Sequence, residues 1–336
     1  MEPPSPPGLL LLGGQSTEGP LISVETFGFE NCTIPPLPET RYAFGSFIAP
    51  TPTPELAVCG GWWMGKPNST DCLTLTVTSG QWERGTFTNG PLGDGVVGVI
   101  HLQSHGVFIV HSSGMSLLAS NTKAWVAGPI FSAPAVCSCE ISSSNFVTVH
   151  MSDMHNVHGY SVTNGKAKPE PIHTWPSLLT KRQGPGCGAT PFHFVVAGGV
   201  SELDEILDSV EVFDIQSKSL RTGGSLRQAR AYFQIVRVGA TYSRLLALGG
   251  RSAYSTLGTS EWWEEEEDSW QEGPPLSTER SNFGALMAHA RLVCTKGVSS
   301  AYSCPAAHSE VETCNFMGMD SGASMIANLI CNMRND

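Results

Sequence analysis

Cations are scarce in this sequence. Asp and Glu outnumber Lys and Arg 30 to 19 over 336 residues, a formal net charge of −11. Nucleic-acid binding needs a surplus of Lys and Arg to neutralise phosphates, so that class is set aside, and anionic membrane surfaces with it. Long apolar runs are also missing; none approaches the roughly 20 residues that span a bilayer. The N-terminal "MEPPSPPGLLLLGGQ" has no basic region. Its apolar run, Leu9–Leu12, is shorter than the roughly 7–15 residues of a secretory signal and reads as a strand. On this reading the chain begins abruptly, as a truncated gene product or one part of a longer protein would. No C-x-x-C pair is present, which argues against a structural zinc site. No G-x-S-x-G elbow marks a hydrolase serine. Helical periodicity is hard to find before residue 320.

What is present is turn-forming material, with 36 Gly and 23 Pro in a chain that is 40% hydrophobic. This is the composition of a soluble globular protein rich in turns. Ten cysteines permit disulfides without requiring them. Cys59 and Cys72 close a fourteen-residue segment across a strand–loop–strand hairpin, either as a bridge or as two buried thiols. Asn31 and Asn68 stand in glycosylation sequons. The cysteines tilt the expected compartment outward, although the N-terminus offers no signal peptide.

An apolar run ending in two glycines recurs: "LLLLGG" at Gly13-Gly14, "LAVCGG" at Gly60-Gly61, "FVVAGG" at Gly198-Gly199 and "LLALGG" at Gly249-Gly250. Degenerate copies end at Ser112-Ser113 and Ser152-Asp153, giving spacings of 47, 52, 40, 46 and 51. Such a period marks a propeller or a solenoid. Each unit continues with a polar loop and an alternating strand such as "SVETFGF", "CLTLTV" or "SVEVFD". A short strand comes next, often with Trp (Trp82, Trp125, Trp175, Trp270), then a turn into Arg41, Arg182, Arg230 or Arg280, then one more strand. Four short strands per unit make an antiparallel sheet. The glycine pairs lack the G-x-G-x-x-G and G-x-x-x-x-G-K spacings of nucleotide loops, and the apolar period after them is two.

The apolar run with Gly-Gly, then V-E-x-[FY]-[DG], then Trp, then an Arg-led strand resembles the Kelch repeat. The resemblance covers about residues 9–290 and implies an all-β, six-bladed β-propeller of four-stranded blades. In this reading residues 1–8 are a disordered Pro-rich start, residues 281–289 supply the strand that closes the ring, and residues 291–336 are a tail or a partial seventh blade. Gly13, Gly14, Gly60, Gly61, Gly198, Gly199, Gly249, Gly250, Arg41, Arg230, Arg280 and the four tryptophans are then structural.

The resemblance implies a binding scaffold that recognises a protein partner through its loops, without cofactor or catalysis. Trp62, Trp63, Lys66, Arg251 and Tyr254 are the expected binding residues; the tandem Trp are anchors if exposed and core if buried. An extracellular glycan-binding or adhesive propeller is one alternative. A copper oxidase similar to galactose oxidase is the other, and His150, Asp153, His155 and His158, with Tyr160 close by, would have to serve it. No Cys neighbours Tyr160, and fold alone does not carry activity across. The acidic run "EWWEEEED" reads as a solvated turn, with Trp262 and Trp263 on opposite faces of their strand.

Overall fold

A computed structural model describes residues 7–289, apart from 29–33, 52–54, 63–70, 77–78, 86, 89–94, 103–104, 121, 152–155, 164, 171–173 and 239–243. All regular structure in it is strand. The chain opens with β1 (Pro7–Leu12), the small hairpin β2 (Gln15–Ser16) and β3 (Gly19–Pro20), and β4 (Val24–Phe27). The second blade is β5 (Gly45–Ala49), β6 (Glu55–Cys59), β7 (Cys72–Leu75) and β8 (Trp82–Arg84). The third is β9 (Val96–Leu102), β10 (Gly106–His111), β11 (Gly114–Ala119) and β12 (Trp125–Ile130). The fourth is β13 (Ala135–Ser142), β14 (Asn145–His150), β15 (Val157–Thr163) and β16 (Lys166–Pro169). The fifth is β17 (Gly186–Ala189), β18 (His193–Ala197), β19 (Val210–Asp214) and β20 (Leu220–Thr222). The sixth is β21 (Gln234–Val238), β22 (Arg244–Leu248), β23 (Ser260–Glu264) and β24 (Ser269–Glu272). Each is an antiparallel sheet in chain order.

The last strand, β25 (Gly284–His289), does not start a new sheet. It pairs along the whole of β1, from Pro7↔His289 to Leu12↔Gly284, and the first blade reads β25-β1-β4. The two ends of the propeller are thus sewn into one blade, which removes the open edge each would otherwise present. The first strands of all six blades stand side by side around a central cavity of about 640 Å³.

Burial between blades explains the strand composition. Val210 and Val212 pack with Leu245 and Trp263 of the sixth blade, whereas Phe213 faces Val147 and Trp175 of the fourth. Trp262 and Trp263 divide in the same way, one toward the first blade and one toward the fifth. A strand sandwiched on both faces must be apolar throughout, which is why Leu9–Leu12 are all essentially inaccessible. One expected element is corrected. Trp82, Trp125 and Trp270 lie on the outermost strands, but the outermost strand of the fourth blade is Lys166–Pro169, and Trp175 comes after it in a turn. Trp175 still reaches the same place: it is buried against Phe194 and Phe213, and its indole N–H donates to Glu170. The tail, residues 290–336, lies outside the described residues.

Candidate binding face

One arginine organises each well-kept blade. The Arg182 side chain is inaccessible; its guanidinium donates to the carbonyls of Gly198 and Ser209 and to the Glu211 carboxylate at 2.8 Å. Arg230 repeats this with Gly249, Thr259 and Glu261, and Arg280 with Gly13 and Glu25. The glutamate is the second residue of the "VE" motif on the third strand. Its carboxylate also accepts backbone N–H groups of the entering turn: Leu179 and Thr180 for Glu211, Arg227 and Gln228 for Glu261, Ser277 for Glu25. Burial pushes each of these three guanidinium pKa values down and the paired glutamate opposes it. A buried charge is tolerable when paired in this way, although the buried Nε atoms of Arg230 and Arg280 have no hydrogen-bond partner among the described residues. The second blade has Leu73 where the others have this glutamate, and it relocates the acid: Arg41 pairs with Glu39 and Asp71 instead.

The glycine pair fits into the same knot. Gly198 and Gly199 have φ of +60° and +100°, and the N–H of Gly199 donates to the Arg230 carbonyl of the next blade. In the corresponding pairs a Cβ on Gly13 would lie 2.9 Å from the Arg41 carbonyl, and one on Gly250 2.8 Å from the Ala231 carbonyl. Glycine is required for both its backbone conformation and its missing side chain. Two residues after each arginine the chain again has positive φ, at Ala43, Gly184, Tyr232 and Asn282. These residues form a collar of backbone bonds from blade to blade: Val96 N–H to Ala43 carbonyl, Ala43 to Asn282, Asn282 to Tyr232, and Tyr232 to Gly184, at 2.8–3.0 Å.

First strands start, and second strands end, on one face of the ring. The loops after the glycines and the turns between blades therefore open on that same face. Of the eight large apolar side chains exposed among the described residues, five lie there: Met151 on the fourth blade, Leu179 on the turn into the fifth, Leu203 on the fifth, Tyr254 on the sixth and Ile22 on the first. Tyr254 is 98% exposed and Leu203 80%. The other three are Val126 and Ile130 on the outermost strand β12, Ile130 at the end of that strand nearest the loop face, and Phe192 in the hairpin between β17 and β18 on the opposite face. Arg251, Tyr254 and Thr256 line a depression of about 370 Å³ with Thr17, Asp204 and Ile206. Arg251 lies 5.3 Å over the Tyr232 ring. The loop between β18 and β19 exposes Glu202, Asp204, Glu205 and Asp208.

The structure thus groups Arg251 with Tyr254. Trp62 lies two blades round the ring, half-buried, stacked on Tyr42 and paired to it through the backbone. Trp63, Lys66, Asn31 and Asn68 lie outside the described residues. Cys59 and Cys72 stand directly opposite each other in β6 and β7 and are bonded. In the histidine-rich stretch His150 is buried, with Nδ1 against the Ala133 carbonyl and Nε2 against the Thr148 hydroxyl. Burial lowers its pKa to about 4. His158 lies beside it, ring centroids 4.5 Å apart, while Asp153 and His155 lie outside the described residues. Both His150 nitrogens are engaged within the protein, as in a structural histidine. Sequence reasoning missed Met151, Leu179, Leu203 and Ile22, because a lone apolar residue in a loop gives no periodic signal.

No family model matches the chain. Two curated relatives from Caenorhabditis elegans are similar to it: a Kelch repeat and BTB domain-containing protein, 29% identical over 105 residues, and a Kelch repeat-containing protein, 26% identical over 105 residues. Each match covers 31% of this chain and 18% of the relative, so the chain meets less than a fifth of those proteins' length. The repeated Arg–Glu–Gly-Gly knot, the ring of six blades and these similarities agree: the chain is a six-bladed β-propeller whose repeats resemble the Kelch repeat.

Proposed function

We propose that the protein is a non-catalytic recognition module that binds a protein partner on the glycine-pair face, across the fourth, fifth, sixth and first blades. The arc of exposed Met151, Leu179, Leu203, Tyr254 and Ile22 carries this reading. Five of the eight large exposed apolar side chains among the described residues gather on this one face, which favours it as the surface that a partner covers. Tyrosine supplies large contact area at low entropic cost. In the fifth, sixth and first blades the collar and the buried Arg–Glu pairs hold the loops on rigid strands, so little ordering cost falls on binding there. The acidic loop at 202–208 selects a partner with basic groups beside its apolar contacts.

Quantitative capture tests this, comparing wild type with a Leu203→Glu/Tyr254→Ala variant and with a Phe192→Glu variant on the opposite face. Partners bound by wild type should be retained by the opposite-face variant and lost by the arc variant. Equal capture by all three, with folding unchanged, would refute the assignment.

A further inference from the structure

The inner strands of the fourth and fifth blades are joined covalently. Cys137 on β13 is bonded to Cys187 on β17, with Cα atoms 6.0 Å apart and a sequence separation of 50. Both sulfurs, and Cys139 two residues along the same strand, belong to one inter-blade cluster with Val147, Phe194 and Val196 and border the central cavity. The bridge stands where the other ties stop. The collar runs from Val96 through Ala43, Asn282 and Tyr232 to Gly184 and, among the described residues, continues no further toward the fourth blade. That blade also lacks the arginine that enters the second, fifth, sixth and first blades; Ala133 and Pro134 precede β13 instead. On the loop face this joint leads to Met151, Leu179 and Leu203.

We propose that the Cys137–Cys187 bond is a redox-operated clasp of the ring, holding the fourth and fifth blades together when oxidised and loosening that joint, and the loops it carries, when reduced. Its effect on a partner rests on the binding-face reading; the clasp itself does not. The reductant is a dithiol small enough to enter the cavity. Its thiolate attacks Sγ of Cys187, which is half-buried while Cys137 is fully buried. A mixed disulfide forms and Cys137 leaves as a thiolate that takes up a proton. The second thiol of the reductant then displaces Cys187, which is protonated in turn, and departs as a cyclic disulfide, having delivered two electrons. Cys139 is a third sulfur within the same cluster. Burial, and then the Glu140 charge, push its thiol well above the ordinary range, so it stays protonated and leaves the bridge intact near neutral pH.

The experiment uses the full chain with Cys59→Ser and Cys72→Ser, which removes the other described bridge. Peptide mapping without reduction should recover Cys137 linked to Cys187. Dithiothreitol should lower the thermal midpoint by about 5 °C or more. It should also speed hydrogen exchange in β13, β17 and the loops at 177–181 and 201–206, leaving the sixth and first blades unchanged. Adding Cys187→Ala should reproduce the reduced state and abolish the response to reductant. Absence of the linked peptide from the oxidised protein would overturn the proposal. So would a linked bridge whose reduction changes neither the midpoint nor local exchange, or one that changes all blades alike. Should the Cys187→Ala chain fail to fold, the comparison of oxidised with reduced protein decides alone. A failed partner capture beside a positive exchange result would remove the binding face and keep the clasp.

Discussion

Glu211 is almost wholly buried and serves Arg182 together with two backbone N–H groups of the turn before it. Removing it strands a buried guanidinium, which costs about 3–5 kcal/mol. Glu211→Ala should therefore lower the denaturant midpoint severely. Glu39→Ala should cost visibly less, because Asp71, which is 30% exposed, remains beside Arg41. Equal losses in the two variants would contradict the account of a relocated acid. Ala43 offers the opposite test: at φ +52° a side chain costs about 1–2 kcal/mol, so Ala43→Gly should raise the thermal midpoint by a few degrees, as calorimetry would show. His150 sets an acid limb. Its folded pKa, about 4, is below the ordinary 6.5, so between those values the unfolded chain takes up a proton that the native state refuses. Stability is fully present above pH 6.5 and falls as pH drops toward 4, by an amount on the order of 3 kcal/mol. In His150→Gln that slope should flatten, as urea titrations from pH 7 to 4 would reveal. The arginines and glycines were legible in the sequence from their recurrence. The glutamates recur too, in the V-E motif, but their pairing with the arginines was not legible, because each pair is formed by folding: Arg182 and Glu211 are 29 residues apart in sequence, and Arg280 and Glu25 are 255 apart.

Strands and their order were the most legible layer. The glycine pairs mark the ends of second strands, because the bend there admits no side chain, and period-two alternation marks the third strand beyond each loop. The outermost strands were harder to place. They are short, lie at the rim and are packed on fewer sides, so their composition is weakly constrained; "KAKP" of β16 carries no apolar pattern, and Trp175 drew the expected strand away from it. Closure rests on β25. Its six paired positions with β1 join residues near both ends of the described chain. Deleting the chain from Phe283 onward removes that strand, uncovers the edge of the Leu9–Leu12 run and breaks the blade shared by both ends. Such a protein should lose its cooperative thermal transition and self-associate, as scattering and circular dichroism would register. A monomeric product with an unchanged transition would contradict the closure described.

At the scale of the whole molecule the ring is a frame and the loops are its variable part. The frame was readable because four of the six blades repeat the glycine pair and the arginine, and the other two keep the spacing. Of the proposed face, Arg251 and Tyr254 were singled out in the sequence as binding candidates, while the arc through Met151, Leu179, Leu203 and Ile22 exists only once the blades are placed round the axis. The two disulfides among the described residues differ in the same way. Cys59 and Cys72 flank one hairpin and suggest themselves, while Cys137 and Cys187 meet only because neighbouring blades do. The negative charge of the chain, with an acidic loop on the arc, predicts binding that weakens as salt rises. The central claim is that this face, and not the rim or the far side, meets the partner. Photo-crosslinking measures that most directly, with a photoreactive residue placed in turn at Tyr254, at Phe192 and at Val126. The account predicts a discrete crosslinked protein from position 254 and none from 192 or 126. Crosslinking from 192 or 126 with none from 254 would contradict it.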